Sequence, residues 1–407
     1  MKLGMLSQWF DPEPGPAAIP GVLAREFVRQ GHEVSVLTGF PNYPEGRIHE
    51  GYRQRPRSRT TVDGISVTRV PLYASHSASA LGRALNYGTF AMSATLFGRP
   101  ALRDVDAVWV YNSPVTVALP MSALTRRGQI PIFLQVQDLW PDSLLESGML
   151  ARGVASRAIA KGIARVVRAM ENRATIIGVS SRSARDLILE RNPRLDPTRV
   201  VYSPNPVDES LFAAVQHGDD LPDAPWAERF TVMYVGAVGE VQGLDTLISA
   251  AEALRSRTDI GFVIVGDGIA RERLEARARE LDNMTFVGRV PMSRVPGYLA
   301  RSDVQLVSLA DRPFLRHTTP SKIASLLASG VPMIGQLAGD GARLILDADA
   351  GVVAEPGDVE SLVQAITSMA GASPDRLTAY AEAGKRYYGA HLSAEVVASA
   401  VVEALGR

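Results

Sequence analysis

Short apolar segments alternate with helical stretches along the whole chain, in two successive series. Each segment is a nearly continuous run of apolar and β-branched residues, such as DAVWVYN at 106–112 and GFVIVGDG at 261–268. Such runs are typical of parallel strands that are buried on both faces, with helices as the crossovers between them. The pattern predicts two doubly wound α/β domains. The predicted strands lie at 3–8, 33–40, 65–72, 106–112, 131–138, 175–181 and 200–206, and then at 230–239, 261–268, 284–290, 304–310, 332–339 and 350–356.

The segment 207–229 interrupts this periodicity. It is rich in Gly, Asp and Pro, which is typical of a linker or a surface crossing. We therefore expect domains at 1–206 and 207–387, with the boundary near 207–225. The sequence LSAEVVASAVVEALG predicts a final helix, about 388–407, that packs back on the first domain.

Composition narrows the class of protein. The 407 residues carry 43 Lys+Arg against 43 Asp+Glu, and this balance argues against a nucleic-acid partner, which would need a strong positive field. The chain has no cysteine, so disulfides, thiolate zinc sites and a cysteine nucleophile are excluded. Neither a signal peptide nor an apolar run of about 18 residues is found. We expect a cytoplasmic globular protein.

Metal ligands are not clustered in the sequence. The six histidines form no pair at helical spacing. Asp104-Val105-Asp106 is formally a D-x-D motif, but it precedes a predicted strand and so lies at the amino end of the sheet. We therefore expect no metal site and no cofactor.

Glycine-rich turns follow the predicted strands of the second domain. Ligands of open α/β sheets bind at the carboxyl ends of the strands, so we expect the ligand-binding site at these turns. The first turn is Gly236-Ala237-Val238-Gly239-Glu240-Val241-Gln242-Gly243, the second Gly266-Asp267-Gly268 and the third Gly288-Arg289-Val290. Such turns let backbone N–H groups approach an anion. Each turn by itself is equally explained by tight strand-to-helix geometry.

A lysine at the start of a predicted helix gives the most specific signal. In the segment RHTTPSKIASLLASGVPMI (316–334), Pro320 and Ser321 can open a helix, and Lys322 lies in its first turn. A cation there opposes the helix dipole, so a purely structural role is disfavoured, whereas free N–H groups and an ammonium together suit a phosphate. The alternative is a solvated lysine.

Several motifs together resemble glycosyltransferase family 4. They include GHEVSVLTGFPNYPEGRI, QVQDLWPDS, YVGAVGEVQGLDTLI and TPSKIASLLASGVPMIG, and the resemblance covers nearly the whole chain. It is strongest to the bacterial subgroup of colanic-acid and O-antigen fucosyl- or fucosamine-transferases. The resemblance implies a retaining, metal-independent enzyme of the GT-B fold, in which two Rossmann-like domains face each other across a cleft.

The resemblance also implies roles for individual residues. Lys322 and Arg316 would neutralise the donor diphosphate, and Arg289 and Val290 would flank the nucleobase. The implied catalytic residues are Lys322, Arg316, Asp138 and His317. The implied donor-binding residues are Gly236, Gly239, Gln242, Gly243, Gly266, Asp267, Arg289, Val290, Pro320, Ser321 and Ser325. The implied acceptor-binding residues are Gly15, Asn42, Tyr43, Ser113 and Pro114.

Two departures from the family pattern concern the donor domain. Most of the family carries Glu-x7-Glu near the transferred sugar and the ribose, and the matching positions here are His317 and Ser325. The usual Arg and Lys after the first donor-domain strand are also missing, with Gln242 at the position of the Lys. These changes affect the expected sugar and ribose contacts.

The function expected from the resemblance is retaining transfer of a sugar from a nucleotide-diphosphate donor, a UDP-sugar, to an acceptor hydroxyl. The acceptor would be a small molecule or a lipid-linked glycan, in polysaccharide, lipid-linked glycan or specialised-metabolite synthesis. Two alternatives stay open. One is a GT-B sugar-nucleotide epimerase or hydrolase, and the other is a catalytically weak nucleotide-sugar-binding partner subunit.

One segment of the first domain is strongly basic. Residues 152–182 contain seven Lys or Arg against Glu171 alone. Ile159, Ile163, Val166, Val167 and Met170 are expected to form the apolar face of a helix packed on the sheet, with a basic stripe beside it. This stripe is either a solvated face or a peripheral contact with anionic lipid or a lipid-diphosphate acceptor at the inner membrane face.

Overall fold

The computed structural model describes residues 1–75, 80–124, 130–141, 154–213, 226 and 228–406. The chain forms two compact units, one of Met1–Pro206 with Ala394–Arg407 and the other of Val207–Ser393. No helix among these described residues is both long enough and apolar enough to cross a membrane.

The first unit is built on an eight-stranded sheet. Its strands are β1 (Lys2–Leu6), β2 (Glu33–Gly39), β3 (Ser58–Val62), β4 (Ile65–Val70), β5 (Ala107–Asn112), β6 (Ile132–Val136), β7 (Ile176–Val179) and β8 (Val200–Tyr202). Their order is β3-β4-β2-β1-β5-β6-β7-β8, and every pairing is parallel except that of β3 with β4. The carboxyl ends of β1, β2, β5 and β6 therefore lie at one edge of this sheet.

Strand β3 is the strand that the periodicity does not predict. It is an edge strand whose sequence, SRTTV, is polar and largely exposed, so it carries no apolar run. The turn that joins it to β4 is Asp63-Gly64, with φ of 49° and 79° at the two residues. Asp-Gly with positive φ at both positions is a favoured two-residue hairpin turn, and this dipeptide was the available signal.

Helices cover both faces of the first sheet. They are α1 (Ile19–Arg29), α2 (Ala80–Phe97), α3 (Ala118–Leu124), α4 (Val154–Arg173), α5 (Arg182–Arg191) and, from the carboxyl terminus of the chain, α14 (Ala394–Gly406). Helix α14 contributes Val397, Val401 and Leu405 to the core formed with Phe27 and Trp109. The C-terminal helix is thus part of the first hydrophobic core.

Helix α4 differs from its expected packing. Val167 and Met170 are buried, but Ile159 and Val166 are 50% and 43% exposed. The apolar residues of this helix therefore do not form one face packed on the sheet. The buried Glu171 at its carboxyl end accepts hydrogen bonds from Arg191 and from Asn192 Nδ2 (3.2 Å), which fixes α4 to the end of α5.

The second unit contains a six-stranded sheet in which all pairings are parallel. Its strands are β9 (Phe230–Val235), β10 (Ile260–Val265), β11 (Met284–Gly288), β12 (Val304–Ser308), β13 (Met333–Gln336) and β14 (Gly351–Ala354), in the order β11-β10-β9-β12-β13-β14. Its helices are α6 (Glu209–Ala213), α7 (Asp245–Ala253), α8 (Arg271–Arg277), α9 (Val295–Ala300), α10 (Ser321–Ser329), α11 (Asp340–Asp347), α12 (Val359–Ala370) and α13 (Pro374–His391).

The expected final helix of about 388–407 is two helices in the structure. Residues up to His391 complete α13 of the second unit, and the chain enters the first unit again at Ala394. A short helix, α6, also lies within the segment that the loss of periodicity marked as a linker. Part of that segment, residues 214–225 and 227, falls outside the described residues.

Candidate functional site

Two glycine turns meet at the carboxyl edge of the second sheet. Gly236 follows β9 and Gly266 follows β10, with φ of 151° and 148°. A Cβ atom at Gly266 would lie 1.8 Å from the carbonyl oxygen of Gly236, so only glycine lets the two backbones approach this closely. These positions therefore require glycine for the shape of the edge itself.

The side chain of Gln242 closes the loop after Gly236. Gln242 stands at the position where the resembled family usually has a lysine. The backbone N–H of Gly239 donates to Gln242 Oε1 at 3.0 Å, and Ser308 Oγ donates to the carbonyl oxygen of Gln242 at 2.6 Å. Gly243 follows with φ of 61°. Gln242 thus shapes the loop through two hydrogen bonds in place of a cation.

Lys322 reaches this edge from the first turn of α10. Its Nζ donates to the carbonyl oxygen of Val235 at 2.9 Å and lies 3.6 Å from the centroid of the Tyr234 ring. A Cβ atom at Gly236 would be 2.9 Å from the same nitrogen. Lys322 therefore turns back along the strand end instead of extending into solvent, and its ammonium lies where β9 ends.

The surroundings of Lys322 disfavour its charge. Burial lowers the pKa of Lys322 to about 7. Within the described part of the chain, no carboxylate lies at ion-pair distance from its Nζ, and the face of Tyr234 is a weak substitute for a counter-ion. A bound anion would supply the missing negative charge.

Tyr234 is a residue that sequence reasoning missed. It is fully buried in β9, and its hydroxyl donates to the carbonyl oxygen of Ala237 at 2.7 Å. Burial raises the pKa of Tyr234, so the hydroxyl stays neutral and remains a donor. The residue supports Lys322 with its ring and the glycine loop with its hydroxyl. The apolar run of β9 gave no sign of either contact.

A cavity of about 410 Å³ opens beside the glycine turns. Its lining includes Gly236, Gly266, Asp267, Arg289 and Val290, all of which the family resemblance implied as donor-binding residues. Asp267 Oδ1 accepts the backbone N–H of Gly268 at 2.9 Å and lies 3.8 Å from Arg271 Nη1. The volume is within the range of small-molecule sites in proteins.

Other predicted donor residues lie near this edge without lining the cavity. Arg316 is exposed and pairs with Asp311 at 3.3 Å, and His317 ends the same 3-10 turn, Pro313–His317. Pro320 caps α10, Ser321 is its first residue, and Ser325 follows Lys322 by one turn. No contact in the described residues brings Arg316 to Lys322.

In the first unit, the predicted acceptor residues Asn42 and Tyr43 contact a buried glutamate, Glu13. Glu13 accepts the backbone N–H groups of Phe10 at 3.2 Å, Asn42 at 2.8 Å and Tyr43 at 3.0 Å. Burial raises the pKa of Glu13, and these three donors act against that rise. Glu13, two residues before Gly15, therefore ties the turn after β1 to the turn after β2. Sequence reasoning missed it, although an acid in the turn PEPGP was visible.

Asp138 follows β6, beside the turn after β5. Ser113 Oγ donates to Asp138 Oδ2 at 3.3 Å, and Pro114 follows Ser113. Burial raises the pKa of Asp138, and the hydrogen bond from Ser113 partly opposes this. The negative charge of Asp138 adds to the effect of burial in raising the pKa of Tyr87 and Tyr111. Asp138 is thus a buried carboxylate that accepts a hydrogen bond from one hydroxyl, that of Ser113.

Aromatic contacts connect these two groups of predicted acceptor residues. The ring of Trp9 lies 5.8 Å from that of Tyr43 and 6.5 Å from that of Tyr87, both edge to face. Asn86 Nδ2 also donates to Asn42 Oδ1 at 3.1 Å. The fold therefore brings the two groups to a single edge of the first sheet.

The described residues contain no group of three or more His, Asp or Glu that could hold a metal ion. Asp106 of the D-x-D motif accepts the backbone N–H of Lys2 at 2.8 Å, before β5 begins. Asp106 lies at the amino end of β5, opposite to Ser113, and its hydrogen bond holds the start of β1.

Two parallel α/β units with polar, glycine-rich turns at their carboxyl edges define the class of protein. The structure matches glycosyltransferases of the GT-B fold over nearly its whole length. A sucrose-phosphate synthase from Thermosynechococcus elongatus has a TM-score of 0.69 at 16% identity, covering 99% of this chain and 97% of that one. HepE from Anabaena in complex with UDP has a TM-score of 0.65 at 14% identity, covering 100% of both chains. These likenesses confirm the expected fold.

Two family models identify the family. The model described as Glycosyl transferase 4-like domain matches residues 15–206, and that described as Glycosyl transferases group 1 matches residues 229–371. The chain belongs to the family 4 glycosyltransferases, as its motifs indicated.

Similar curated proteins agree with this assignment. The putative colanic acid biosynthesis glycosyl transferase WcaI of Escherichia coli K12 is 29% identical over 347 residues, 81% of this chain and 82% of its own. The probable glycosyltransferase WbjE of Pseudomonas aeruginosa is 24% identical over 294 residues, 70% of each chain. The chain is thus a glycosyltransferase.

Proposed function

We propose that this glycosyltransferase takes its sugar from a nucleotide-diphosphate donor, a UDP-sugar, and transfers it to an acceptor hydroxyl with retention and without a metal ion. The observation that carries the proposal is Lys322, a cation without a described carboxylate partner, beside two glycine turns and a cavity of about 410 Å³. HepE in complex with UDP has the same fold and supports UDP as the nucleotide.

The donor half of the reaction needs stabilisation of a leaving diphosphate. Lys322 and the backbone N–H groups of the turn after Gly236 would meet the charge that develops as the glycosidic bond breaks. The amino end of α10, where Lys322 lies, adds the positive end of the helix dipole. The nucleoside would occupy the cavity near Arg289 and Val290. This arrangement supplies the charge stabilisation without a metal.

The acceptor half belongs to the first unit. Asp138 and Ser113 would orient the acceptor hydroxyl, with Asn42 and Tyr43 beside it. The hydroxyl attacks the anomeric carbon on the face that the diphosphate leaves, and its proton passes to the departing phosphate oxygen. This route requires no protein nucleophile. The colanic acid relative supports a glycan or lipid-linked glycan as the acceptor class.

A donor panel separates this function from its alternatives. The full chain is incubated with UDP-, GDP- and dTDP-sugars, with and without lipid-diphosphate and oligosaccharide acceptors, and products are identified by mass spectrometry. Turnover that requires an acceptor supports transfer. Turnover without acceptor would instead indicate an epimerase or hydrolase, and binding without turnover would indicate a partner subunit.

The role of Lys322 has its own test. Lys322→Ala is expected to weaken donor binding or turnover at least about tenfold, because the diphosphate loses its cation. Lys385→Ala, which removes an exposed lysine of α13 in the same unit, is the matched control and should change neither. Donor affinity is measured by calorimetry. Unchanged donor affinity and turnover in Lys322→Ala would rule out the phosphate assignment.

A further inference from the structure

Helix α2 exposes a row of large apolar side chains. Leu81, Leu85, Met92 and Leu96 are 69%, 43%, 58% and 69% exposed. Their spacing places them on one face of the helix, over about 22 Å at 1.5 Å per residue. We call this row the α2 ridge. Isolated exposed apolar residues are ordinary, but four large ones on one helix face mark an interaction surface.

An apolar groove lies beside the α2 ridge. It has a volume of about 730 Å³ and runs between α2, α3 and α4. Met92, Leu119, Ile159 and Val166 line it and are 58%, 49%, 50% and 43% exposed. The two side chains of α4 that were expected to pack on the sheet therefore face this groove. The apolar surface thus continues from α2 to α4.

Among the described residues of α2, α3 and α4, the exposed charged side chains are all basic. Exposed basic residues follow α4, namely Arg157, Lys161, Arg165, Arg168 and Arg173. Helices α2 and α3 contain no acidic residue, and the single acid of α4, Glu171, is buried and bonded to Arg191. At the end of the groove, Arg173 Nη1 donates to Ser122 Oγ at 2.5 Å. The partner of this surface should therefore be apolar and negatively charged.

We propose that this face of the first unit, formed by the α2 ridge, the groove and the basic residues of α4, docks on an anionic lipid bilayer. The apolar side chains enter the boundary between headgroups and acyl chains, and the basic side chains meet the anionic headgroups. A second copy of the chain is disfavoured as the occupant, because pairing two such faces would bring basic residues together. The docking requires neither donor nor acceptor.

Vesicle binding by the full chain tests this docking. Co-sedimentation is measured with phosphatidylcholine vesicles and with vesicles that also contain phosphatidylglycerol. The chain should bind the anionic vesicles more tightly, and salt should weaken the binding. The apolar variant Leu85→Ser/Met92→Ser/Leu96→Ser should weaken binding at least about tenfold. The basic variant Arg157→Gln/Lys161→Gln/Arg165→Gln should weaken it about fivefold per residue removed, and its remaining binding should depend less on salt.

A matched control makes the same change outside this face. Leu346→Ser alters a side chain that is 57% exposed in α11 of the second unit, and vesicle binding should not change. Far-ultraviolet circular dichroism and the thermal midpoint confirm that each variant folds, since all the altered residues are exposed. Donor binding in the second unit should persist in all of them.

Three results would overturn the docking proposal. They are absence of binding to the anionic vesicles, equal binding by the apolar variant and the unaltered chain, or a concentration-dependent dimer that the apolar variant abolishes. The last result would assign the face to an interface between two copies. None of these assays contains a nucleotide sugar, so the outcome is independent of the proposed transfer reaction.

Discussion

Lys322 lies in surroundings that oppose its own charge, and under the proposed function this should make donor binding sensitive to pH. Burial lowers the pKa of its ammonium to about 7. In the proposed complex, the diphosphate binds the protonated form and raises that pKa again. Below pH 7 the lysine is already protonated and donor affinity should be constant. Above pH 7 the proton must be taken up on binding, so affinity should fall as the pH rises.

The size of this fall can be measured with a nucleotide sugar, whose diphosphate does not titrate in this range. Donor affinity should decrease by up to about tenfold per pH unit between pH 7 and 9. Lys322→Arg keeps the charge over the whole range and should remove the pH dependence, even if its longer side chain binds less well. Calorimetry at several pH values gives the profile, and a flat profile for the unaltered chain would contradict the lowered pKa.

Asp138 provides a second prediction for a single residue. Because burial raises its pKa, Asp138 is protonated at higher pH than an ordinary aspartate, and turnover should be lost as the pH falls through that raised value. Asp138→Asn should lower turnover about tenfold to a hundredfold by misplacing the acceptor hydroxyl, and should remove this acidic limb of the profile. Donor affinity should not change, because Asp138 belongs to the other unit.

Ser113→Ala is the milder companion of that variant. It removes the hydrogen bond to Asp138 Oδ2 but keeps the carboxylate, so the acidic limb should persist at a shifted pH. Because that hydrogen bond opposes the rise in pKa, its loss should move the limb to higher pH. Steady-state kinetics over pH distinguish the two variants, and an identical profile for Asp138→Asn and the unaltered chain would exclude Asp138 from the reaction.

At the scale of the secondary-structure element, the close approach of the two glycine turns after β9 and β10 can be tested. Gly266→Ala would force a Cβ atom against the carbonyl oxygen of Gly236, which neither backbone can avoid without moving. We expect a loss of about 2–4 kcal/mol in the free energy of unfolding, together with weaker donor binding. Urea denaturation and calorimetry measure the two effects.

Gly389→Ala is the control for this change. Gly389 lies within α13 of the same unit, and a Cβ atom there would meet no heavy atom within 4 Å. Alanine is the better helix former, so stability should rise by up to about 1 kcal/mol with no change in donor binding. If Gly266→Ala behaved like this control, the close approach of the two turns would not be required.

At the scale of the whole molecule, the last helix links the end of the chain to the first core. Deleting 394–407 would remove the buried side chains of Val397, Val401 and Leu405 from the first unit. We expect the first unit to lose about 5 kcal/mol or more of unfolding free energy, while the second unit is unaffected. Val401→Ala should give a smaller loss of the same kind.

Tryptophan fluorescence can assign the two transitions. Trp9 and Trp109 are buried in the first unit and Trp226 in the second. In the deletion, the transition of the first unit should move to lower urea, and nucleotide binding should still protect the transition of the second. A deletion that left both transitions unchanged would show that α14 contributes no stability to the first core.

Much of the fold could be read from the sequence because most strands are apolar on both faces. Each segment predicted from such a run contains a strand, although the observed strands end earlier, where the polar turns begin. Strand β3 was missed because an edge strand with polar side chains has no such run. The expected helix at about 388–407 spans two helices, because residues 388–391 complete α13 and only the part from Ala394 belongs to α14.

The candidate site was only partly predictable. Sequence motifs predicted the glycine turns and Lys322. In the structure, Gly236, Gly266 and Lys322 lie together at the carboxyl edge of the second sheet. Tyr234 and Glu13 could not be assigned in advance, because their roles come from contacts with Lys322 and with the turn at Asn42. Ion pairing of Arg316 with Asp311 is likewise a property of three-dimensional neighbours.

The sequence by itself determined the two series of buried strands, the glycines after them and the family, because apolar periodicity and turn residues act locally along the chain. Tertiary structure decided which cations lack a counter-ion and which apolar side chains stay exposed. Lys322 became a poorly solvated ammonium only when α10 packed beside β9. Ile159 and Val166, apolar in the sequence like their buried neighbours, became a surface only when α4 took its orientation on the sheet. Burial and charge pairing depend on distant segments, so they are settled by packing.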